Sequence, residues 1–219
     1  MIVYAVEPGG RYVTVEESLA LHPGEKRSVY VNITNRCTCA CTFCLRSMKN
    51  MAEGHSLWLS KEPEEGEVRE ILSNLLWERV EEVVFCGFGE PTMRLSTLTG
   101  LLRYIRETHP ECKTRLNTNG LSDLYHGRDT APDFDGLLDI VSVSLNASNP
   151  ERYLELTRSR FGIKSFDAML GFAKNMKNYA KDVALTVVDH VEDESEIARC
   201  AALAEKEGIR LRVRTYEPE

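Results

Sequence analysis

Apolar and polar residues follow two rhythms along this chain. Ile2 to Val6 and Tyr12 to Val15 form short apolar or alternating runs around the turn-forming Glu7-Pro8-Gly9-Gly10. That pattern predicts a small β-hairpin within an N-terminal extension, residues 1–22. From residue 29 the rhythm changes. Strand-length apolar runs at 29–34, 82–86, 113–117, 140–145, 183–188 and 209–215 are separated by longer stretches with helical periodicity. Val68, Ile71, Leu72, Leu75 and Leu76 mark one long amphipathic helix, and Leu98, Leu101, Leu102 and Ile105 mark another. Residues 150–157, 165–179 and 195–206 read as further helices, and 121–138 as an irregular connection with one short helix.

Six strands alternating with helices predict an α/β domain spanning 1–219, its parallel sheet at 29–216 joined by right-handed crossovers. A doubly wound sheet and an incomplete barrel both satisfy the pattern. In either, the loops leaving the C-terminal strand ends build the site. The unusual residues fall there. The run "NRCTCACTFCLR" leaves the first strand, Cys86-Gly87-Phe88-Gly89-Glu90-Pro91-Thr92 the second, and Asn117-Thr118-Asn119-Gly120 the third. Ser144-Leu145-Asn146-Ala147-Ser148-Asn149 leaves the fourth and Asp189-His190 the fifth, while Arg214 and Tyr216 end the sixth. Any one of these is an ordinary turn composition. Six on one rim point to a site.

Composition narrows the class. The 219 residues are 42% hydrophobic and 28% charged, with net charge −7, which argues against nucleic acid held by bulk charge. No stretch has the apolar length of a membrane span, and no basic segment precedes Ile2-Val3-Tyr4, so a cytoplasmic protein is expected. Seven cysteines, an odd number, then favour metal binding or chemistry over a disulfide framework. Structural zinc usually takes two separated ligand pairs, and no second pair exists. Cys37, Cys41 and Cys44 give the spacing C-x3-C-x2-C, which can hold three corners of a [4Fe–4S] cube and leave the fourth iron without a protein ligand. An open metal position is the usual mark of catalysis. Cys39 breaks the spacing and reads as a non-ligand packed behind the loop; Cys86, Cys112 and Cys200 read as small core residues.

Cys37-x3-Cys41-x-Phe43-Cys44, with an aromatic before the last cysteine, resembles the signature of the radical S-adenosylmethionine (SAM) superfamily. The resemblance implies a partial (β/α)6 TIM-like barrel behind the N-terminal hairpin. It also implies a [4Fe–4S] cluster whose free iron is chelated by SAM, and reductive cleavage of SAM to a 5′-deoxyadenosyl radical that takes hydrogen from a substrate. Gly87-Phe88-Gly89-Glu90-Pro91 resembles the family's glycine-glycine-glutamate motif, which binds the SAM amino group, although Phe88 stands where a glycine is usual. Ser144 and Asn146 sit where the fourth strand would contact the SAM ribose and carboxylate. Within the superfamily, "NITNRCTCACTFCLR", "GFGEPT" and "SLNAS" look most like the small TatD-associated radical SAM proteins, a likeness that brings no substrate with it.

For several residues two readings stand. Asn117 and Asn119 are turn formers or contacts to SAM or substrate. Phe43 offers its backbone and ring edge to the adenine or shields the cluster from water, and Val188 packs against the adenine or is core. Arg158 and Arg160 read as helix-surface charges. Arg214 and Tyr216 either fray at the surface or reach over the mouth to a carboxylate or phosphate, which suits arginine's planar fork. The leading expectation is an oxygen-sensitive enzyme acting on a small, anionic molecule, reduced by a donor such as flavodoxin or ferredoxin. The sequence leaves no segment for a second cluster domain. Two rivals remain open: an activase-like enzyme acting on a loop of a partner protein, and a non-catalytic Fe–S or zinc module.

Overall fold

The computed structural model describes residues 1–48 and 55–215. In chain order the elements are β1 Val3–Glu7, β2 Arg11–Val13, α1 Val15–Leu21, β3 Arg27–Val31, α2 Leu45–Met48, α3 Glu65–Ser73, β4 Val80–Phe85 and α4 Leu95–Thr108. They continue with β5 Lys113–Thr118, α5 Ser122–His126, β6 Leu138–Ser144, α6 Pro150–Thr157, α7 Ser165–Met176, β7 Ala180–Val188, α8 Glu194–Lys206 and β8 Arg210–Arg214. The strands form one sheet ordered β2-β1-β3-β4-β5-β6-β7-β8. Strands β3 to β8 are parallel neighbours, as the α/β barrel reading requires. The hairpin joins antiparallel to the β3 edge, through Val3↔Val31 and Tyr4↔Tyr30.

Side chains alternate across a strand, so each strand feeds two environments. Val29, Val31, Val83, Phe85, Leu116, Val141, Val143, Leu185 and Val187 face outward and are buried beneath the helices, with Leu98, Leu102, Met169, Phe172 and Cys200 among their partners. The opposite face lines the barrel lumen. There Tyr4, Phe88 and Leu57 pack with Val6, Tyr12 and Tyr30, so the hairpin carries the lumen wall two strands beyond β3.

The sequence expectations need local correction. Val15, read from the pattern as the end of the hairpin, and residues 16–21, unassigned there, form α1. Thr14 Oγ1 accepts from Glu17 N (3.1 Å) and Glu17 Oε2 accepts from Thr14 N (2.8 Å), a reciprocal capping box that starts a helix too short to show periodicity. Strand β3 leaves the ladder at Val31, and Asn32–Thr34 turn their hydrogen bonds to neighbouring loops instead. Helix α3 stops at Ser73, because the Asn74 amide bonds back to Ile71 and Leu72 and ends it before Leu75. Glu7 fastens the extension. It is buried, accepts from Ser18 Oγ, lies 2.6 Å from His22 Nε2 and 3.1 Å from Arg27 Nη2, and so ties β1, α1 and β3 together. Burial pushes its carboxyl up, but those partners outweigh burial and leave it below the usual glutamate range.

Candidate active site

The cysteine loop is held from two sides. From below, the last turn of α6 supplies carbonyls: Ala40 N donates to Thr157 O and Thr42 N to Leu156 O, both at 2.9 Å, while beyond the helix Arg160 N donates to Thr38 O (3.0 Å). Arg158, at φ 46°, makes the left-handed turn that aims this segment at the loop. From above, Asn32 Nδ2 donates to Leu57 O (2.6 Å), Asn35 Nδ2 to Leu59 O (2.7 Å), and Glu62 receives both Arg36 and the Thr34 hydroxyl.

Cys37, Cys41 and Cys44 are half-buried and Cys39 is buried. Cys39 is packed in the core behind the loop, and its thiol also hydrogen-bonds to the sulfurs of both Cys37 and Cys41. That bond is the main force lowering the Cys37 thiol to about 7, and it lowers Cys41 as well. Burial raises Cys44. Among the described residues no three Cys, His, Asp or Glu side chains are placed so that they could together hold a metal ion. The chemistry of the donor set fits a cluster with one open iron: three thiols on one loop, two of them readily ionised to the form that ligates metal.

The second strand exit explains its own glycines. A Cβ on Gly87 would lie 2.2 Å from Asn32 Oδ1, and one on Gly89 would lie 2.3 Å from Thr34 O and 2.6 Å from Arg36 O. Gly89 therefore lets this segment touch the backbone of the cysteine loop, and Glu90 N donates to Arg36 O (2.7 Å). Phe88, between them, turns to the lumen against Tyr4 and Leu57. Glu90 is buried. Its Oε1 accepts from Thr92 N (3.1 Å), Thr92 Oγ1 (2.8 Å) and Thr118 Oγ1 (2.8 Å), whereas among the described residues Oε2 accepts only from Asn119 N (2.7 Å). Burial raises its pKa, and the hydrogen bonds only partly offset that. A carboxylate in this state favours a cation beside Oε2.

Asn119 links the third exit to the first. Its Nδ2 donates to Thr38 Oγ1 (3.1 Å) and lies 3.7 Å from Cys37 Sγ, while its Oδ1 accepts from Leu121 N (3.0 Å). Asn117, one residue pair deeper, leaves its Oδ1 buried without a partner, as do Asn146 Oδ1 and Ser142 Oγ. Asn146 sits at φ 61°, a conformation asparagine tolerates better than most residues, with its amide on Thr186 O (3.2 Å). Ser144 and Val188 are half-buried on adjacent strands, paired with Thr186 and Arg214 respectively. Phe43 packs beside Cys37 and Cys41 against the core. Arg214 is not a frayed surface charge: its Nε is buried, with no partner among the described residues. Tyr216 lies outside the described residues.

Other residues here carried no sequence signal. Thr38 is buried and anchors Asn119; Thr92 and Thr118 brace Glu90. The fully buried Tyr153 has no partner for its hydroxyl and sits within electrostatic range of Cys39, Cys41 and Glu90. Cys86 departs from its core reading, since its side chain hydrogen-bonds Asn117 within electrostatic range of Arg214, whereas Cys112 and Cys200 are core as expected. The period-two register placed Cys86 on the lumen face, a signal obscured by cysteine's usual role as a small apolar residue.

A sequence model described as the radical SAM superfamily matches residues 31–204. No curated protein matches the chain. Among solved structures, Streptococcus suis SuiB bound to the precursor peptide SuiA is similar at TM-score 0.66 and 20% identity, over 91% of this chain and 42% of SuiB. A radical SAM methyltransferase from Sphaerobacter thermophilus matches at TM-score 0.58 and 17% identity, over 97% of this chain and 75% of that one. TYW1 with a lysine-pyruvate adduct bound matches at TM-score 0.61 and 14% identity, over 97% and 77%. The chain thus spans less than half the length of SuiB, and at these identities the structural likeness speaks for the fold.

Proposed function

Since this chain belongs to the radical SAM superfamily, we propose a reading of its site in those terms. The chain is a radical SAM enzyme whose cofactors are a [4Fe–4S] cluster and SAM. Together they supply a 5′-deoxyadenosyl radical for hydrogen abstraction, and the protein's own residues bind, orient and exclude water. Cys37, Cys41 and Cys44 hold the cluster. Glu90 Oε2 takes the SAM ammonium group, Ser144 and Asn146 take its ribose and carboxylate, and Phe43 and Val188 flank the adenine. Asn119 joins the cysteine loop to the SAM side, and Asn117 lines the lumen beneath.

One observation carries this reading. Three separate strand exits meet within hydrogen-bond distance, through Glu90 N to Arg36 O (2.7 Å), Asn119 N to Glu90 Oε2 (2.7 Å) and Asn119 Nδ2 to Thr38 Oγ1 (3.1 Å). A simple electron-carrying or zinc module has no use for a buried carboxylate tied to its cysteine loop, or for asparagines whose buried Oδ1 atoms have no partner among the described residues. The substrate is a small anionic molecule entering the lumen toward Arg214, in a cytoplasmic, oxygen-sensitive enzyme reduced by flavodoxin or ferredoxin. A protein or peptide loop is the second reading, favoured by the peptide bound to SuiB.

The test is anaerobic reconstitution, iron and sulfide analysis, and assay for SAM cleavage with dithionite. About four irons and four sulfides per chain, with slow release of 5′-deoxyadenosine and methionine, are expected. A stable cluster whose spectrum SAM does not perturb would leave the non-catalytic module as the better reading.

A further inference from the structure

Strand β8 carries Arg210, Arg212 and Arg214 at alternate positions, all on the lumen face. The first is spoken for: Arg210 Nε lies 3.0 and 3.1 Å from the two carboxylate oxygens of Asp182. The next two are different. Neither side chain makes a hydrogen bond or ion pair with a described residue, and the Arg214 Nε is buried. On the same lumen face Ser142 Oγ and Asn117 Oδ1 are also buried and, among the described residues, without a hydrogen-bond partner. The ladder carries Asn117 across Ser142 and Ala184 to Arg210 on one face of the sheet, and Cys86, hydrogen-bonded to Asn117, lies within electrostatic range of Arg214, which links Asn117 to that arginine. Opposite stands the hairpin wall, where Tyr4 packs edge-on to Tyr12 (5.5 Å between centroids) and stacks on Tyr30 (5.3 Å).

We propose that Arg212 and Arg214 form an oxyanion subsite for a carboxylate or phosphate group of the substrate, with Ser142 as a further donor, the hairpin's Tyr12 as its outer wall, and Asn117 Oδ1 accepting from an N–H or O–H beside that group. This rests on the radical SAM reading of the same site and deepens it. The physical case is one of missing partners. A guanidinium taken from water without a carboxylate is costly, and such groups persist where a ligand supplies the missing charge. Burial lowers the Arg214 pKa first and Arg212 lowers it further, while among the described residues Cys86 and Tyr12 are its remaining electrostatic neighbours and neither is a carboxylate. An oxyanion between two guanidiniums on one strand face relieves both the desolvation and the like-charge repulsion, and arginine can meet it with two parallel hydrogen bonds. A single neutral acceptor nearby then selects for a donor on the same substrate.

The N-terminal hairpin is thereby a specificity element. Tyr12 on β2, at one edge of the sheet, lies within electrostatic range of Arg214 on β8, at the other. The lateral opening of the barrel is bounded by these two walls, so the hairpin decides what can stand beside the anion.

The experiment uses the full chain with its cluster reconstituted. Inorganic phosphate and acetate are titrated calorimetrically at low ionic strength, and alkylation of Cys86 by iodoacetamide is followed by peptide mass spectrometry. At least one anion is expected to bind saturably and to slow alkylation of Cys86. Arg214→Gln and, separately, the more exposed Arg212→Gln should each weaken binding about tenfold or more, equivalent to a loss of about 1.4 kcal/mol. Preference for phosphate assigns a phosphate ester; preference for acetate assigns a carboxylic acid. Absence of saturable binding by either anion, or unchanged binding in both variants, overturns the subsite while leaving SAM cleavage by the wild-type protein intact. Failure of the wild-type protein to cleave SAM would instead overturn the reading beneath it.

Discussion

The two ends of the barrel lumen use similar polar side chains for opposite purposes. At the N-terminal end, Glu82 accepts from Ser28 Oγ (3.1 Å) and pairs with Arg115 Nη2 (2.9 Å), and Asp182 pairs with Arg210. Of that set, one buried atom, Arg115 Nε, lacks a partner. At the C-terminal end, Asn117, Ser142, Asn146 and Arg214 all leave buried polar atoms unsatisfied. Folding alone accounts for the first end, because paired charges close the floor and neighbouring strands hold them in register. It does not account for the second, where each orphan lowers stability. The contrast separates groups that complete the fold from groups that await a ligand.

The sharpest break in the comparison falls on the cysteine loop. Cys37→Ala, Cys41→Ala and Cys44→Ala should each abolish the reconstituted cluster, whereas Cys39→Ala should keep it with an altered absorbance spectrum, because Cys39 hydrogen-bonds two of the sulfurs proposed as ligands. Iron and sulfide analysis decides. A cluster lost with Cys39, or surviving without Cys41, would overturn the ligand assignment.

Next in size is Glu90→Gln. Loss of a charged hydrogen bond should weaken SAM binding by about 1.5–3 kcal/mol with iron content unchanged. Equilibrium binding to the loaded protein measures it, and unchanged affinity would confine Glu90 to bracing Thr92, Thr118 and Asn119.

The lumen comparison itself is tested by a pair of variants. Glu82→Gln removes a partner at the closed floor and leaves Arg115 uncompensated in a poorly solvated place, so unfolding should become easier by about 2–3 kcal/mol. Arg214→Gln removes an unpaired charge at the open end and should be neutral or stabilising, by up to about 1 kcal/mol. Urea melts of the two proteins give the answer. Equal destabilisation would mean that Arg214 is structural.

The smallest effect is a pH dependence at the barrel's base. Asp139 accepts from Thr114 N (2.8 Å) and pairs with Arg106 and with Lys181 Nζ (2.7 Å). Burial raises its carboxyl, but the bonds from Lys181, Arg106 and Thr114 prevail and bring it down to about 2. A depressed folded-state pKa stabilises the protein above the unfolded value and is lost as pH falls, here between about pH 4 and pH 2. After allowance for solvent screening the contribution is about 1–2 kcal/mol. Asp139→Asn should lower stability at pH 7 and make little difference at pH 2; a difference that persists in acid would refute the ionic explanation.

The sequence was most readable where period and spacing carry the information. The six barrel strands, most of the helices between them and the cysteine spacing follow from local rules, and so does the collection of unusual residues at strand exits. It was least readable in short capped elements and long-range pairings. The seven-residue α1 shows itself only through the Thr14–Glu17 box. Cys86 and Ser142 look like filler until the register turns them inward. Tyr4, Tyr12 and Tyr30 look like ordinary strand aromatics until the hairpin joins β3 and makes them a lumen wall.

The sequence alone thus determined the chemistry that one loop can offer, because C-x3-C-x2-C restricts its donors whatever surrounds it. It also determined the order of elements, because apolar periodicity follows from backbone geometry. Tertiary structure alone decided which polar groups are spent and which are left over. Arg210, Arg212 and Arg214 are the same residue at the same spacing. Asp182 pairs with the first, while the other two have no carboxylate partner among the described residues. That difference arises between strands brought together by folding, so no window of the sequence could contain it.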